Sequence, residues 1–356
     1  MSECCGLDAR HRTCACACQV EIGHQDNPYH NATHVADVVR PFAPHNAAWL
    51  FAGLAIPCGS MLPGCLHALL SLVAPCLLCY AHVFVFILVA TCVIVFTCRH
   101  TQVQSMHVLL LKGGLAKKLT RLDVLAAILA ACVHDLEHRG FNNDFLIKTQ
   151  DNWAIDSNDR SPNESHHVSA AFRILRNPEC NFLHAMDISD QRNLRRLMIE
   201  MVLATDMAEH MAIVSQLKTE LQRQNEKPDD VDKTQETSEE ARTLFLRSAI
   251  KVADIGHVYA ALSVHIKWSQ RLEEEMWKQG DVETELGMPV SFLMDRDKPG
   301  VTKSQPGFID FVVMPLFQTW VETFPESKEL LLHLNANKAY WLSKEAEAAK
   351  AGGSRA

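Results

Sequence analysis

"LAKKLTRLDVLAAILAACVHDLEHRG", residues 115–140, decides how the rest of the chain is read. Leu115, Leu119, Leu122, Ala126, Leu129 and Val133 recur at i, i+4, i+7, i+11, i+14 and i+18. That is one stripe of a 3.6-residue period and predicts a single amphipathic helix from Leu115 onward. At its C-terminal end stand His134 and Asp135, with His138 four residues beyond the first histidine. Histidines at i and i+4 share a helix face, so one metal ion or one substrate meets both. Asp135 closes an apolar helix, where an unpaired carboxylate is costly to bury and a cation would be its natural partner.

The same spacing occurs upstream in "NPYHNATHVADVV", residues 27–39, which carries His30 and His34. Downstream, "KVADIGH" sets Asp254 and His257 at the end of another apolar helical run. Two imidazoles and two carboxylates from separate helices form a nitrogen–oxygen set suited to zinc, or to zinc with magnesium. Hydrogen-bonded core histidines with helix-capping aspartates are the alternative that the pattern leaves open. "SPNESHHVSAAFRIL" predicts a further helix with Ser161 as N-cap, Pro162 in the first turn and Glu164 completing a capping box. "QRNLRRLMIEMVLATDMAEHMAIV", "LFLRSAIKVADIGHVYA" and "GFIDFVVMPLFQTW" read as amphipathic or buried helices. No stretch alternates at period two for long enough to predict a strand. The expected fold class is all-α.

Composition limits the function classes. Forty-two acidic and 34 basic residues give a net charge of −8 across 356 residues, with no basic stripe, which argues against nucleic acid as a partner. The N-terminus carries Glu3 and Asp8 and has no basic-then-apolar leader, so a secretory signal is not expected. Eleven of the 13 cysteines lie at or before Cys98, and the 58 residues between Arg40 and Arg99 hold no Asp, Glu, Lys or Arg. Residues 1–19 are Cys-rich without a hydrophobic period; a metal knuckle or a palmitoylated tail is one reading, an unstructured terminus the simpler one. Residues 62–98 are apolar enough to span a bilayer, with residues 76–98 the best uninterrupted segment. The acidic run 228–240 reads as a solvated loop, and residues 343–356 as a disordered tail.

Seven segments then occur in a familiar order: "YHNATHVADV", "HDLEHRGFNN", "ESHHVSAAF", "MVLATDMAEH", "KVADIGH", "QGDVETELGMPVS" and "SQPGFIDFVVMPLF". Together they resemble the catalytic domain of the class I cyclic nucleotide phosphodiesterases, within the HD-type metal phosphohydrolases. The wording of "NPYHN" and "NDRSPNESHHVSAA" is most similar to the calmodulin-stimulated branch. The resemblance implies a domain over residues 20–342 that hydrolyses a 3′,5′-cyclic nucleotide, cAMP or cGMP, to the 5′-monophosphate. By the same resemblance His34, His134, Asp135 and Asp254 hold the tighter metal, usually zinc. Asp135 bridges to a second, usually magnesium, with manganese as an alternative there. His30 is the general acid for the departing 3′ oxygen, a role suited to a group titrating near neutrality. His138, Glu164 and Thr205 hold the surrounding waters. Gln305 meets the purine edge, Phe308 stacks on it, and His257 lies near the base. A cytoplasmic enzyme, compatible with a homodimer, is the expectation.

Two departures from the family pattern stand out. Only about 26 residues precede the "YHN" motif, so helices that usually come before it are expected to be missing. Residues 39–102 form a 64-residue apolar insertion between "ADV" and "VQSMH", inside a helix that should hold His34 in register. If genuine, it would bring the membrane into the protein's life as a grafted hairpin. The reading we favour is a translated retained intron: the segment begins Val-Arg and ends Thr-Gln, whose codons accommodate splice donor and acceptor signals. An inactive remnant and a membrane-anchored binding module are the rival functions.

Overall fold

The computed structural model describes Gln19, Asn27, Tyr29 and residues 101–226 and 237–353. The Cys-rich terminus, most of the apolar insertion and most of the acidic run lie outside the described residues. Among those described, every regular element is helical, as the periodicity predicts.

The first described helix, α1 (Thr101–Leu111), buries Val103, Met106, Leu109 and Leu110, the i, i+3, i+6, i+7 face of an amphipathic helix. It includes Thr101 and Gln102, the last two residues assigned above to the insertion. A 3₁₀ turn (Leu115–Lys118) follows Gly114, whose φ of 79° lies in the left-handed region that glycine adopts without strain.

The single helix expected from Leu115 is broken at Leu119, which is extended, and α2 (Arg121–Val133) starts anew. Thr120 is the reason. Its Oγ1 accepts from the Asp123 N–H at 3.2 Å while Asp123 Oδ2 accepts from the Thr120 N–H at 2.9 Å. This reciprocal capping box satisfies two backbone donors that a continuous helix would have bonded internally. Burial on α2 also exceeds the expected stripe: Ala126, Ala127, Ala130 and Ala131 are all fully buried, while Leu119, Leu122 and Leu129 are half-buried. Methyl-sized side chains around the helix let α1, α6 and α8 all approach it.

The remaining helices are α3 (Asn143–Lys148), α4 (Asn152–Ser157), α5 (Pro162–Arg176), α6 (Ile188–Leu203), α7 (His210–Asn225) and α8 (Glu239–Asp254). Then come α9 (Leu262–Glu285), α10 (Val301–Phe308), α11 (Met314–Thr323) and α12 (Glu329–Gly353). Short 3₁₀ turns precede α7, α9 and α12. Pro306 sits inside α10 without an N–H to give, and the chain widens into a π turn over Ile309–Val313 before α11. Trp320, Phe317 and Phe245 fill the centre of one main core, and Phe145, Leu146 and Ala154 form a small satellite beneath α3 and α4.

Two expectations are corrected here. Residues 343–353 belong to α12 rather than to a disordered tail, because an Ala-, Glu- and Lys-rich segment favours helix intrinsically. The Lys344–Glu347 pair adds a contact at 2.8 Å. His134 and His138 do not share a helix face: α2 ends at Val133, and Glu137 between them turns left-handed with φ 65°.

Candidate active site

His134 is the C-cap of α2, and Asp135 follows it; Asp254 is the last residue of α8. Packing of α8 against α2 brings the two helix ends together. His134 Nε2 then lies 2.7 Å from Asp135 Oδ2 and 3.6 Å from Asp254 Oδ1. One ligand atom from each of the three falls within 4.8 Å of the others. On the far side of the ring, His134 Nδ1 stands 3.1 Å from the Ala131 carbonyl and donates to it. The other nitrogen, the buried Nε2, thereby faces both carboxylates and shares with them whatever it binds there, a proton or a cation. Burial disfavours a charged imidazolium, but Asp135 and Asp254 outweigh it and push the His134 pKa up to about 10. A nitrogen lone pair and two carboxylate oxygens converging in this way fit a divalent cation as well as they fit a proton.

His30 and His34 lie outside the described residues, but their neighbours reach this site. Asn27 donates its amide to the His138 carbonyl at 2.6 Å, and the Tyr29 N–H donates to Glu275 Oε2 at 2.8 Å. The buried Tyr29 ring packs edge-on to His257 and Trp268. Burial, then the charges of Asp254, Asp135 and Glu275, hold its hydroxyl well above the ordinary phenol range.

His138 is buried with its ring 5.5 Å from that of His167, and its Nδ1 accepts from the Gly140 N–H at 2.9 Å. Glu164 accepts from Asn143 at 2.9 Å, and burial followed by repulsion from Asp206 lifts its pKa to about 7. The capping box expected between Ser161 and Glu164 does not form. Ser161 is left-handed at φ 45° and makes no cap bond; its hydroxyl donates to Asp206 Oδ2 at 2.7 Å instead. Asp206 thus draws the serine away from the helix it would cap. Thr205 is buried and gives its hydroxyl proton to the Val202 carbonyl.

Gln305 is buried on α10, its Nε2 donating to the Val301 carbonyl at 3.3 Å while its Oε1 finds no partner among the described residues. Phe308, half-buried, packs against the main core. The buried His257 has its Nδ1 3.2 Å from His265 Nδ1, and the indole N–H of Trp341 donates to His265 Nε2 at 2.7 Å.

Several contributors escaped the sequence reading. Lys251 is buried and donates to the carbonyls of Ala204, Thr205 and Asp206, tying the end of α6 to α8. A lysine inside the apolar run of "KVADIGH" was an available signal for it. Asn143 and Asp206, which partner Glu164 and Ser161, carried no such signal.

An all-α domain with an imidazole and two carboxylates converging at buried helix ends belongs to the class of helical folds that can hold a divalent cation. The family profile described as 3′5′-cyclic nucleotide phosphodiesterase matches residues 99–334, and this chain belongs to that family. Among its relatives is the probable 3′,5′-cyclic-AMP phosphodiesterase pde-4 of Caenorhabditis elegans, 38% identical over 242 residues, 68% of this chain and 36% of the relative. Another is the 3′,5′-cyclic-AMP phosphodiesterase 4C of Rattus norvegicus, 37% identical over 243 residues, 68% of this chain and 45% of the relative. The chain therefore spans less than half the length of these relatives. The structure of LmjPDEB1 in complex with IBMX superposes with a TM-score of 0.63 at 29% identity, covering 69% of this chain and 72% of that one. The phosphodiesterase domain of the Salpingoeca rosetta rhodopsin phosphodiesterase reaches a TM-score of 0.71 over 97% of this chain and 84% of its own. At 22% identity, that likeness speaks for the fold alone.

These relatives are named as cyclic-AMP phosphodiesterases, and the expected affinity to the calmodulin-stimulated branch finds no support in them. Two short phrases of similar wording weigh less than identity spread over some 240 residues. No helix among the described residues is long and apolar enough to cross a membrane, and residues 76–98 lie outside them.

Proposed function

We propose that this chain hydrolyses a 3′,5′-cyclic nucleotide to the 5′-monophosphate with the help of two divalent metal ions. The observation that carries the reading is the convergence of the buried His134 Nε2 with the carboxylates of Asp135 and Asp254. His134, Asp135 and Asp254, with His34, would hold the tighter ion, for which zinc suits the mixed donor set. Asp135 would also reach the second, magnesium or manganese. When bound, two such ions lower the pKa of water and stabilise both the attacking and the leaving oxygen of an in-line displacement at phosphorus.

The protein's own residues supply the rest. His30 would deliver a proton to the departing 3′ oxygen of the ribose. His138, Glu164 and Thr205 would orient water around the ions. Phe308 would stack on the purine, and the buried Gln305 amide would bond its edge, with His257 nearby. An amide presents a donor and an acceptor and serves adenine or guanine according to its orientation. The relatives' names favour cAMP.

Hydrolysis of cAMP and cGMP by the purified, metal-replete chain tests this. Activity that disappears with a chelator and in Asp254→Ala is expected. A monodisperse, metal-replete sample that hydrolyses neither nucleotide would overturn the proposal and make the chain a remnant of such an enzyme.

A further inference from the structure

The loop from His134 to Gly140 carries two of the candidate metal-site residues and His138, yet its backbone is unfavourable. Glu137 is left-handed at φ 65°, a conformation that costs a residue with a Cβ and persists only where its surroundings impose it. The surroundings here are three aromatic side chains from α4 and α5. His167 Nδ1 donates to the carbonyl of the fully buried Leu136 at 2.6 Å. His166 Nε2 stands 2.6 Å from Glu137 Oε2, fixing the side chain of the strained residue itself. Trp153 lies flat against His166, with ring centroids 3.6 Å apart and planes within 14° of parallel. On the other face of Trp153 sits the Arg139 guanidinium, 3.7 Å from the ring centre.

The stack is closed at its edge. Arg139 Nη2 donates to Asp151 Oδ1 at 2.6 Å, and the same oxygen accepts from the Trp153 N–H at 2.9 Å at the start of α4. Leu136, Glu137 and Arg139 are therefore each tied to α4 or α5, and the indole is the layer between the last two ties. None of these groups lies among the candidate ligands or the base-binding residues.

We infer that Trp153 is a positioning residue for the metal site: clamped between Arg139 and His166, it holds the loop Leu136–Gly140 in the conformation that keeps His134, Asp135 and His138 in place. The inference rests on the metal reading proposed above. Partners that orient ligands are worth about 10–100-fold in metal affinity, and a rigid stack acting on the loop backbone belongs to that class.

The test compares zinc affinity, by competition with a chromophoric chelator, and amide hydrogen exchange of residues 136–140 in the metal-free protein. Trp153→Ala is expected to weaken zinc binding about 10–100-fold and to speed exchange of those amides, with Trp153→Phe restoring most of both. Arg139→Gln removes one layer while leaving the indole in the core, and should move both readouts the same way if Trp153→Ala folds poorly. Phe324→Ala, a change in the main core beside Phe245 and Trp320, should lower thermal stability and leave zinc affinity unchanged. Wild-type zinc affinity and wild-type exchange in both Trp153→Ala and Arg139→Gln would overturn the inference. If the wild-type chain takes up no zinc, the metal reading fails by itself. Exchange at residues 136–140 then decides whether the stack holds the loop.

Discussion

Gln102 donates its side-chain amide to Asp254 Oδ1 at 2.7 Å, and that oxygen is the one 3.6 Å from His134 Nε2. The first turn of α1 thus fixes the carboxylate at the end of α8. A carboxylate oxygen has two lone pairs, so it accepts this bond and still offers one to a cation. Gln102→Met keeps the side-chain length and deletes the donor. Zinc affinity should fall about 10-fold, as for other partners that orient a ligand. Calorimetric titration checks this, and an affinity equal to the wild type would show that α8 alone fixes Asp254.

His265 Nε2 accepts the Trp341 indole N–H, a bond that requires the ring neutral, and its Nδ1 lies beside that of His257. Burial holds its pKa down at about 4. In the unfolded chain it takes up a proton near 6.5, so the stability it confers is full above that pH and is lost as pH falls towards 4. The wild type should lose about 2 kcal/mol from this group between pH 7 and pH 5. Urea denaturation of His265→Phe at the two pH values should show that much less acid sensitivity. Parallel pH profiles for variant and wild type would refute the assignment.

Glu164 behaves in the opposite sense. Its pKa of about 7 in the metal-free fold lies above the ordinary 4.5, so the native state holds the proton longer than the unfolded chain. Below about 4.5 the group costs nothing; stability then declines as pH rises through 7, by about 3 kcal/mol in full. Glu164→Gln should be more stable than the wild type at pH 8 and equal to it near pH 4, measured on metal-free protein. Equal stability at pH 8 would mean that the carboxylate is ionised without cost.

Gly280 on α9 leaves no room for a side chain: a Cβ there would stand 1.8 Å from the Met294 carbonyl oxygen. Backbone cannot yield as a side-chain tip does. The clash would push the 286–294 segment off α9, although Glu283 holds its Ser291 by two bonds. Gly280→Ala should destabilise the fold by more than about 4 kcal/mol, the range of severe core disruption. A melting temperature within two or three degrees of the wild type, read by circular dichroism, would contradict this close approach.

The amino-acid pattern by itself determined that the protein is helical, and it pointed to His134, Asp135 and Asp254, because a charge at the end of an apolar helical run is a local feature. The ordered segments from "HDLEHRGFNN" to "SQPGFIDFVVMPLF" pointed to the family, which the profile match over residues 99–334 shows. Where helices begin was less legible. Thr120 with Asp123 competes for backbone donors and splits the helix expected from Leu115, and Asp206 withdraws Ser161 from the cap expected of it. Only the tertiary structure decided what stands around the site: Gln102 on Asp254, Lys251 on the end of α6, Trp153 between Arg139 and His166. Those contacts join segments that are separated along the chain. Helical periodicity records which face of a segment is buried, but the partner that buries it is chosen by packing among all the helices at once.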